Sequence, residues 1–312
     1  MQRIVLLFIG LTIPFRIFAW WEMGHMLVAN IAYQHLSIKA KEDIKKLLPI
    51  MEQENNPYYQ YNYDAKYPNR SIMKIAVWPD HLFSKPNFLF TMFNWHFKDE
   101  PISIDGTLPE KKYKQNVVWA IEQLTENLSH PDGNPSIKAR SLAMLIHFVG
   151  DIHQPLHNSS LYSKQFPQGD AGGNKYLISF KEKNGDILNN LHKLWDSGMT
   201  LFVGYGFPYN SKDLIDAELI TTIIMNNQPL NNFNRKDFMF DPEKWHKEGY
   251  EIAKNIYDID FAGEPDPGYL ARNASIIEKQ LALAGYRLAF LLNKAFSDPQ
   301  MPFVDTAMDV AL

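Results

Sequence analysis

One stretch constrains this chain more than any other: His147-Phe148-Val149-Gly150-Asp151-Ile152-His153-Gln154-Pro155-Leu156-His157. It follows Ser141-Leu142-Ala143-Met144-Leu145-Ile146, an apolar run that predicts a buried helix. A helix turns once in about 3.6 residues, so His147 and Asp151 project from one face, one turn apart. An imidazole and a carboxylate so placed are a natural pair of zinc ligands. Pro155 cannot continue the helix, so the chain should break there and aim His157 from another direction. The plainer alternative is a core helix with hydrogen-bonded histidines. Three His and an Asp within eleven positions favour a metal over that alternative. Asn190-Leu191-His192-Lys193-Leu194-Trp195-Asp196 repeats the spacing of four, and two such pairs suggest more than one ion.

Composition narrows the ligand types. The 312 residues include no cysteine, which excludes disulfides, zinc-thiolate sites and a cysteine nucleophile. Zinc must then be held by His, Asp, Glu and backbone atoms, a set that also suits open catalytic sites. A formal net charge of -4 argues against bulk electrostatic binding of nucleic acid, so a phosphate-bearing substrate needs local positive charge, which bound zinc could supply. Met1-Gln2-Arg3 followed by apolar Ile4 to Ile13 and a small residue at Ala19 has the layout of a secretory signal peptide. The run is short for a membrane span of about 20 residues. Cleavage after Ala19 would make Trp20 the mature N-terminus of an exported chain, either secreted or periplasmic, with 20–312 as one domain.

Helical patterns run from Glu22 to Gln34, from Ser37 as a cap to about Leu48, through Ile72 to Leu82, and from Lys114 to Leu128. Later ones span Ile187 to Phe202, Asp213 to Met225, Pro242 to Tyr257 and Ser275 to Asn293. Lys175 to Lys181 reads as a short strand turned by Asn184-Gly185, and Phe88 to Phe97 could be extended or a short buried helix. The tail after Phe296 reads as less ordered. The fold class expected is mainly α, with one helical domain and a short β element.

Other segments supply more candidate ligands. Trp20-Trp21-Glu22-Met23-Gly24-His25 would open the mature chain with an α-amine of pKa about 7.7–8.0, able to lose its proton and chelate a metal together with its own carbonyl. Aromatic packing near a terminus explains the same residues equally well. Trp78-Pro79-Asp80-His81 and Asn94-Trp95-His96-Phe97-Lys98-Asp99 read in isolation as a capping Asp and a core His. His153, two residues beyond Asp151, projects from another side of the helix and is set aside, as are His35, His81, His130 and His246. Asn69, Asn127, Asn158 and Asn273 begin N-x-Ser sequons, a pattern short enough to arise by chance.

Taken together, Trp20-x-x-x-Gly24-His25, Trp78-x-Asp80, Trp95-His96-Phe97-x-Asp99, the His147 to His157 stretch, Gly172-Gly173-Asn174 and Asn190-Leu191-His192-x-x-Trp195-Asp196 resemble, in this order, the single-strand-specific zinc nucleases of the type I or mung bean nuclease family. That family is related in fold to zinc phospholipases C. The resemblance covers nearly all of the mature chain and implies three zinc ions. One would lie on Asp80, His96, His147 and Asp151, and a second on His157, His192 and Asp196. The third would lie on the Trp20 amine and carbonyl, His25 and the other oxygen of Asp151. An extra residue before Trp20 would turn the amine into an amide.

The resemblance further implies an endonuclease and phosphodiesterase acting on single-stranded DNA and RNA, with 5′-phosphate products and a 3′-nucleotidase activity. Asp99 matches the carboxylate that orients or deprotonates the attacking water. Phe97 matches a base-stacking aromatic, while Asn174 could hydrogen-bond a base edge and Lys98 could touch phosphate. For each of these three, core packing, turn formation or simple exposure is the competing explanation. Nucleic acid and 3′-nucleotides are the expected partners, with no protein partner implied. The alternative is a zinc-dependent phospholipase C, since the same cluster can hydrolyse a phospholipid and Pro57 to Tyr67 is aromatic-rich. A third possibility is an exported zinc-binding protein without turnover. The chain departs from fungal members in lacking disulfides, and its Ser159 to Asp186 segment looks long, with Tyr162 and Phe166 as candidate cleft residues.

Overall fold

The computed structural model describes residues 20–57, 59–82, 90–109, 114–182, 185, 187–202, 204–205 and 209–297. The signal-peptide expectation, most of the tail after Phe296, and parts of the Phe88 to Phe97 and Asn184-Gly185 readings lie outside these residues. The helices are α1 (Glu22–Gln34), α2 (Ile38–Leu47), α3 (Pro68–Ala76), α4 (Trp78–Leu82), α5 (Val117–Ser129), α6 (Pro135–Ile152), α7 (Leu191–Asp196), α8 (Ser211–Asn227), α9 (Pro242–Ala253) and α10 (Pro267–Ala295). The mainly α class therefore holds.

Two helices form the centre. In α1 every residue from Met23 to Ala32 is buried, and in α6 every residue from Ser141 to Ile152. A helix apolar all round must be enclosed by others, and α1 is packed by α3, α6, α8 and α10. Asx residues start several helices: Asn134, Asp241 and Asp266 each accept backbone N–H bonds in the first turn, and each is followed by a proline at N1. Ser37 caps α2 through Ala40 N, as its position suggests.

The β structure is small but positions the site. Strand β1 (Glu100–Ser103) pairs in parallel with β2 (Ser159–Tyr162), Glu100 opposite Ser159. Strand β3 (Leu177–Lys181) pairs antiparallel with β4 (Ile187–Asn190). The last strand corrects the reading of Ile187 to Phe202 as one helix. Ile187 and Asn189 are exposed while Leu188 and Asn190 are buried, an alternation of period two. Asn190 then caps α7 by accepting from Lys193 N, so the helix begins only at Leu191. It ends by Ser197, where Gly198, Met199 and Thr200 take positive φ. The Ile72 to Leu82 pattern is likewise two helices, α3 and α4, and Phe90–His96 is a 3-10 helix, the short helical alternative for that segment.

Candidate metal centre

Helix α6 carries His147 and Asp151 on one face, fully buried, and ends at Ile152 as Pro155 requires. A 3-10 turn, Pro155–Asn158, then delivers His157. Helix α1 brings His25, α4 brings Asp80, the 3-10 helix before β1 brings His96, and α7 brings His192 and Asp196. All eight side chains are buried and fall into three groups with ligand atoms within 4.8 Å of one another: His25, Asp80 and His147; His96, His147 and Asp151; His157, His192 and Asp196.

The distances match a metal. Zinc bonds of about 2.0–2.2 Å in a tetrahedral arrangement put ligand atoms roughly 3.3–3.5 Å apart. His147 Nε2 lies 3.4 Å from Asp80 Oδ1 and 3.5 Å from Asp151 Oδ2, and His25 Nε2 lies 3.5 Å from Asp151 Oδ1. His96 Nδ1 to Asp151 Oδ2 (2.9 Å) and His192 Nε2 to Asp196 Oδ2 (3.1 Å) are closer, at hydrogen-bond length. The two oxygens of Asp151 thus face different histidines, the arrangement a bridging carboxylate needs.

Tautomers are fixed from behind. A carbonyl oxygen only accepts, so Nδ1 must donate in His147 to Ala76 O (2.8 Å), in His157 to His96 O (2.7 Å) and in His192 to Gly172 O (2.6 Å). In its neutral form each ring therefore turns an unprotonated Nε2 towards the cluster, the form that binds metal. Gln154 donates to Asp196 Oδ1 (2.7 Å) and accepts from Leu156 N, so one side chain orients a ligand and braces the turn to His157.

Electrostatics agree. Burial, with the neighbouring His147, holds His25 and His96 well below the usual imidazole range, leaving them neutral. Burial opposes charge on His147, but the carboxylates of Asp151 and Asp80 push it up to about 9. Burial raises Asp151 well above the carboxylate range and Asp196 to about 6. Both nitrogens of His25, Asp80 Oδ1 and Asp151 Oδ1 are buried without a hydrogen bond. Buried polar atoms without partners are uncommon, and a cation beside His25 Nε2, Asp80 Oδ1 and Asp151 Oδ1 would satisfy those three, so the donor set fits zinc.

Trp20 is fully buried, its indole donating to Gly150 O (3.0 Å) while Trp21 N donates to Asp196 O (3.0 Å). The start of the described chain is thus tied to both ligand-bearing segments. Gly150 permits this: a Cβ there would sit 2.8 Å from His25 Nδ1, and His25 cannot retreat because it stacks on His147 with ring centroids 3.8 Å apart. Gly150→Ala is expected to displace His25 and weaken metal binding by about 10–100-fold. Its chelated form should melt within a few degrees of wild type, because the helix-propensity gain of about 1 kcal/mol offsets overpacking of about 1–3 kcal/mol. Zinc titration beside a melting curve checks both halves.

Asp99 follows His96 on the same segment, three residues on. Burial pushes its carboxyl up to about 7, and the carboxylate of Asp170 adds to the rise while His192 and Lys175 oppose it. Asp170 was not among the candidates, yet its buried carboxylate accepts from Leu161 N, Ser160 Oγ and Tyr257 Oη, fixing the loop beside Asp99. The only sequence sign of it is an acid two residues before Gly172-Gly173. In that loop Gly172 has φ +60°, and a Cβ would meet Leu156 O at 2.3 Å, so only glycine lets its carbonyl reach His192.

The substrate candidates are spread more widely. Phe97 is half-buried and packs edge-on against Phe93 (5.5 Å). Asn174 is buried, its Nδ2 donating to Ala171 O. Lys98 is drawn to α9, its Nζ on both carboxylate oxygens of Glu243 (2.8 and 2.6 Å). His153 donates to Val149 O and accepts from Arg287, so it packs rather than ligates. Tyr162 and Phe166 are buried, and Phe166 packs on Tyr176 and Phe261.

The family model described as S1/P1 Nuclease matches residues 20–297. Among curated proteins, the chain is 27% identical to Endonuclease 3 of Arabidopsis thaliana, covering 89% of each chain. It is 24% identical to Nuclease S1 of Aspergillus oryzae over 90% of this chain and 93% of that protein. Identity to Nuclease P1 of Penicillium citrinum is 27%, over 88% and 97% respectively.

Proposed function

The chain belongs to the S1/P1 nuclease family, and from that premise we propose an exported, tri-zinc enzyme that hydrolyses single-stranded DNA and RNA to 5′-phosphate products and also acts as a 3′-nucleotidase. That it is a phosphodiester-hydrolysing nuclease follows from the family itself. The observation that carries the finer reading is the convergence of eight His and Asp side chains from six segments into three ligand groups. Asp80, His96, His147 and Asp151 would hold one ion, His157, His192 and Asp196 a second, and His25 with the Trp20 amine and carbonyl and the other Asp151 oxygen a third. Zinc supplies Lewis acidity and lowers the pKa of water, which suits ester hydrolysis at mild pH.

Asp99 takes the proton of the attacking water, and a carboxyl at about 7 is matched to that task near neutrality. Phe97 offers an aromatic face to a base, and stacking tolerates any base while a duplex hides its faces. Asn174 commits its Nδ2 to Ala171, leaving its carbonyl oxygen for a base edge. Lys98 can meet phosphate only by exchanging Glu243 for it. Export rests on the Met1 to Ala19 leader, and no helix among the described residues is long and apolar enough to cross a membrane.

The test pairs zinc per chain with hydrolysis of single-stranded DNA and of phosphatidylcholine by the mature protein. Three zincs with DNA turnover support the reading, and lipid turnover alone overturns it. Phe97→Ala is expected to raise KM for single-stranded substrate by about 5–150-fold, the scale of one lost stacking contact of about 1–3 kcal/mol. Zinc content should not change. An unchanged KM would return Phe97 to packing against Phe93.

A further inference from the structure

Helix α6 stops at Ile152, and the chain must then reverse through Gln154-Pro155-Leu156 to aim His157 at His192 and Asp196. Stopping a helix inside the core leaves carbonyls without their usual donors. Asn158 answers this directly. It is 0% exposed, and its Nδ2 donates to Ile152 O (2.8 Å) and Gln154 O (3.0 Å). The amide orientation is unambiguous, because a flipped side chain would face two carbonyls with a third oxygen. Its Oδ1 accepts from His246 Nδ1 on α9 (3.0 Å). Burial, reinforced by the nearby positive charge of Lys98, depresses His246 to about 4, so the ring stays neutral and its tautomer is set by that bond.

The same helix grips the neighbouring strand. Glu243 holds Lys98, and Tyr250 Oη donates to Pro101 O (2.9 Å). Lys98 N in turn donates to His157 O (2.8 Å). Gly249 lets α9 approach, since a Cβ there would lie 2.4 Å from Asn158 Nδ2. We infer that Asn158, oriented by His246, is a positioning residue that sets the aim of His157 and so the metal affinity of the His157, His192 and Asp196 group. This rests on the reading of that group as a metal site. It also gives the buried Asn158-Ser159-Ser160 sequon a structural role in place of a glycan.

Asn158→Ala is expected to take a donor from Ile152 O, to leave Gln154 O with only His157 N, and to weaken one ion by about 10–100-fold, the usual cost of losing a residue that orients a ligand. The other ions should bind as before. His246→Leu should act in the same direction, and His246→Asn, which can place an N–H where Nδ1 stood, should restore wild-type affinity. The readouts are zinc per chain at buffered free zinc and the visible absorption of the cobalt(II)-substituted protein, both on material with wild-type circular dichroism. His157→Ala is run in parallel. If His157→Ala loses an ion while Asn158→Ala and His246→Leu bind it with wild-type affinity and spectrum, the inference is overturned. If His157→Ala itself keeps every ion, the metal reading of that group fails instead. Should Asn158→Ala not fold, the contrast between His246→Leu and His246→Asn decides: restoration only in the latter supports the role, and equal affinity in both removes it.

Discussion

Asp99→Asn is expected to lower kcat on single-stranded DNA by about 10³-fold, within the range of 10²–10⁴ typical of a general base, with zinc content and KM unchanged. Asparagine keeps the volume of aspartate and loses only the ability to take a proton, so a purely structural Asp99 would tolerate the change. The electrostatics supply a second readout on chelated protein. Burial and Asp170 raise the folded pKa of Asp99 to about 7, above the unfolded carboxylate value. Between those two values the folded state binds more protons than the unfolded, so stability falls as pH rises through the window. The cost is complete above about pH 7. Chelated Asp99→Asn should therefore melt above chelated wild type at pH 8, and the gap should close towards pH 4. Full activity in Asp99→Asn would remove the residue from the mechanism. Equal melting at both pH values would mean that its carboxyl is not raised.

Such a trade, stability given up for a raised base, is common at active sites and accounts for what could be read from the sequence. The candidate ligands were legible because zinc accepts few residue types and because a helix fixes the geometry of His/Asp pairs four apart. His147 with Asp151 and His192 with Asp196 needed no tertiary information. Their supports did. Ala76 O, Gly172 O and His96 O orient three rings, and carbonyls carry no sequence signature. Asp170 and Asn158 owe their roles to contacts with Tyr257 and His246, 87 and 88 residues away. The parallel pairing of β1 with β2 is equally non-local.

Element boundaries failed for local reasons. Ile187-Leu188 serves an alternating pattern as well as a helical one, and only the Asn190 cap marks where the helix starts. Asp266-Pro267 signals the α10 start, but Gly268 and the polar pair Arg272-Asn273 interrupt the apolar pattern before Ser275.

Asp151→Asn is the most disruptive single change to expect. Both carboxylate oxygens face imidazoles, Oδ2 towards His96 and His147 and Oδ1 towards His25. Asparagine offers one acceptor oxygen, and its NH₂ presents protons where a lone pair is needed. Two of the three proposed ion sites, those that share Asp151, should therefore fail together. Zinc per chain should drop from three to about one, retained by His157, His192 and Asp196. The rate should fall by at least about 10³-fold, since the metals contribute several kcal/mol of transition-state stabilisation and each 1.4 kcal/mol is about tenfold. Stability should divide by metal state. A site filled at about a hundred times its Kd adds ~2.7 kcal/mol, so chelation should lower the wild-type Tm by several degrees, and by much less in the variant. With metal removed the order reverses: the buried Asp151 carboxyl, raised well above its usual range by burial, disfavours folding at neutral pH, and neutral asparagine relieves that cost. Chelated Asp151→Asn should melt at or above chelated wild type. A variant that keeps three zincs and the full wild-type thermal shift would show that Asp151 bridges nothing.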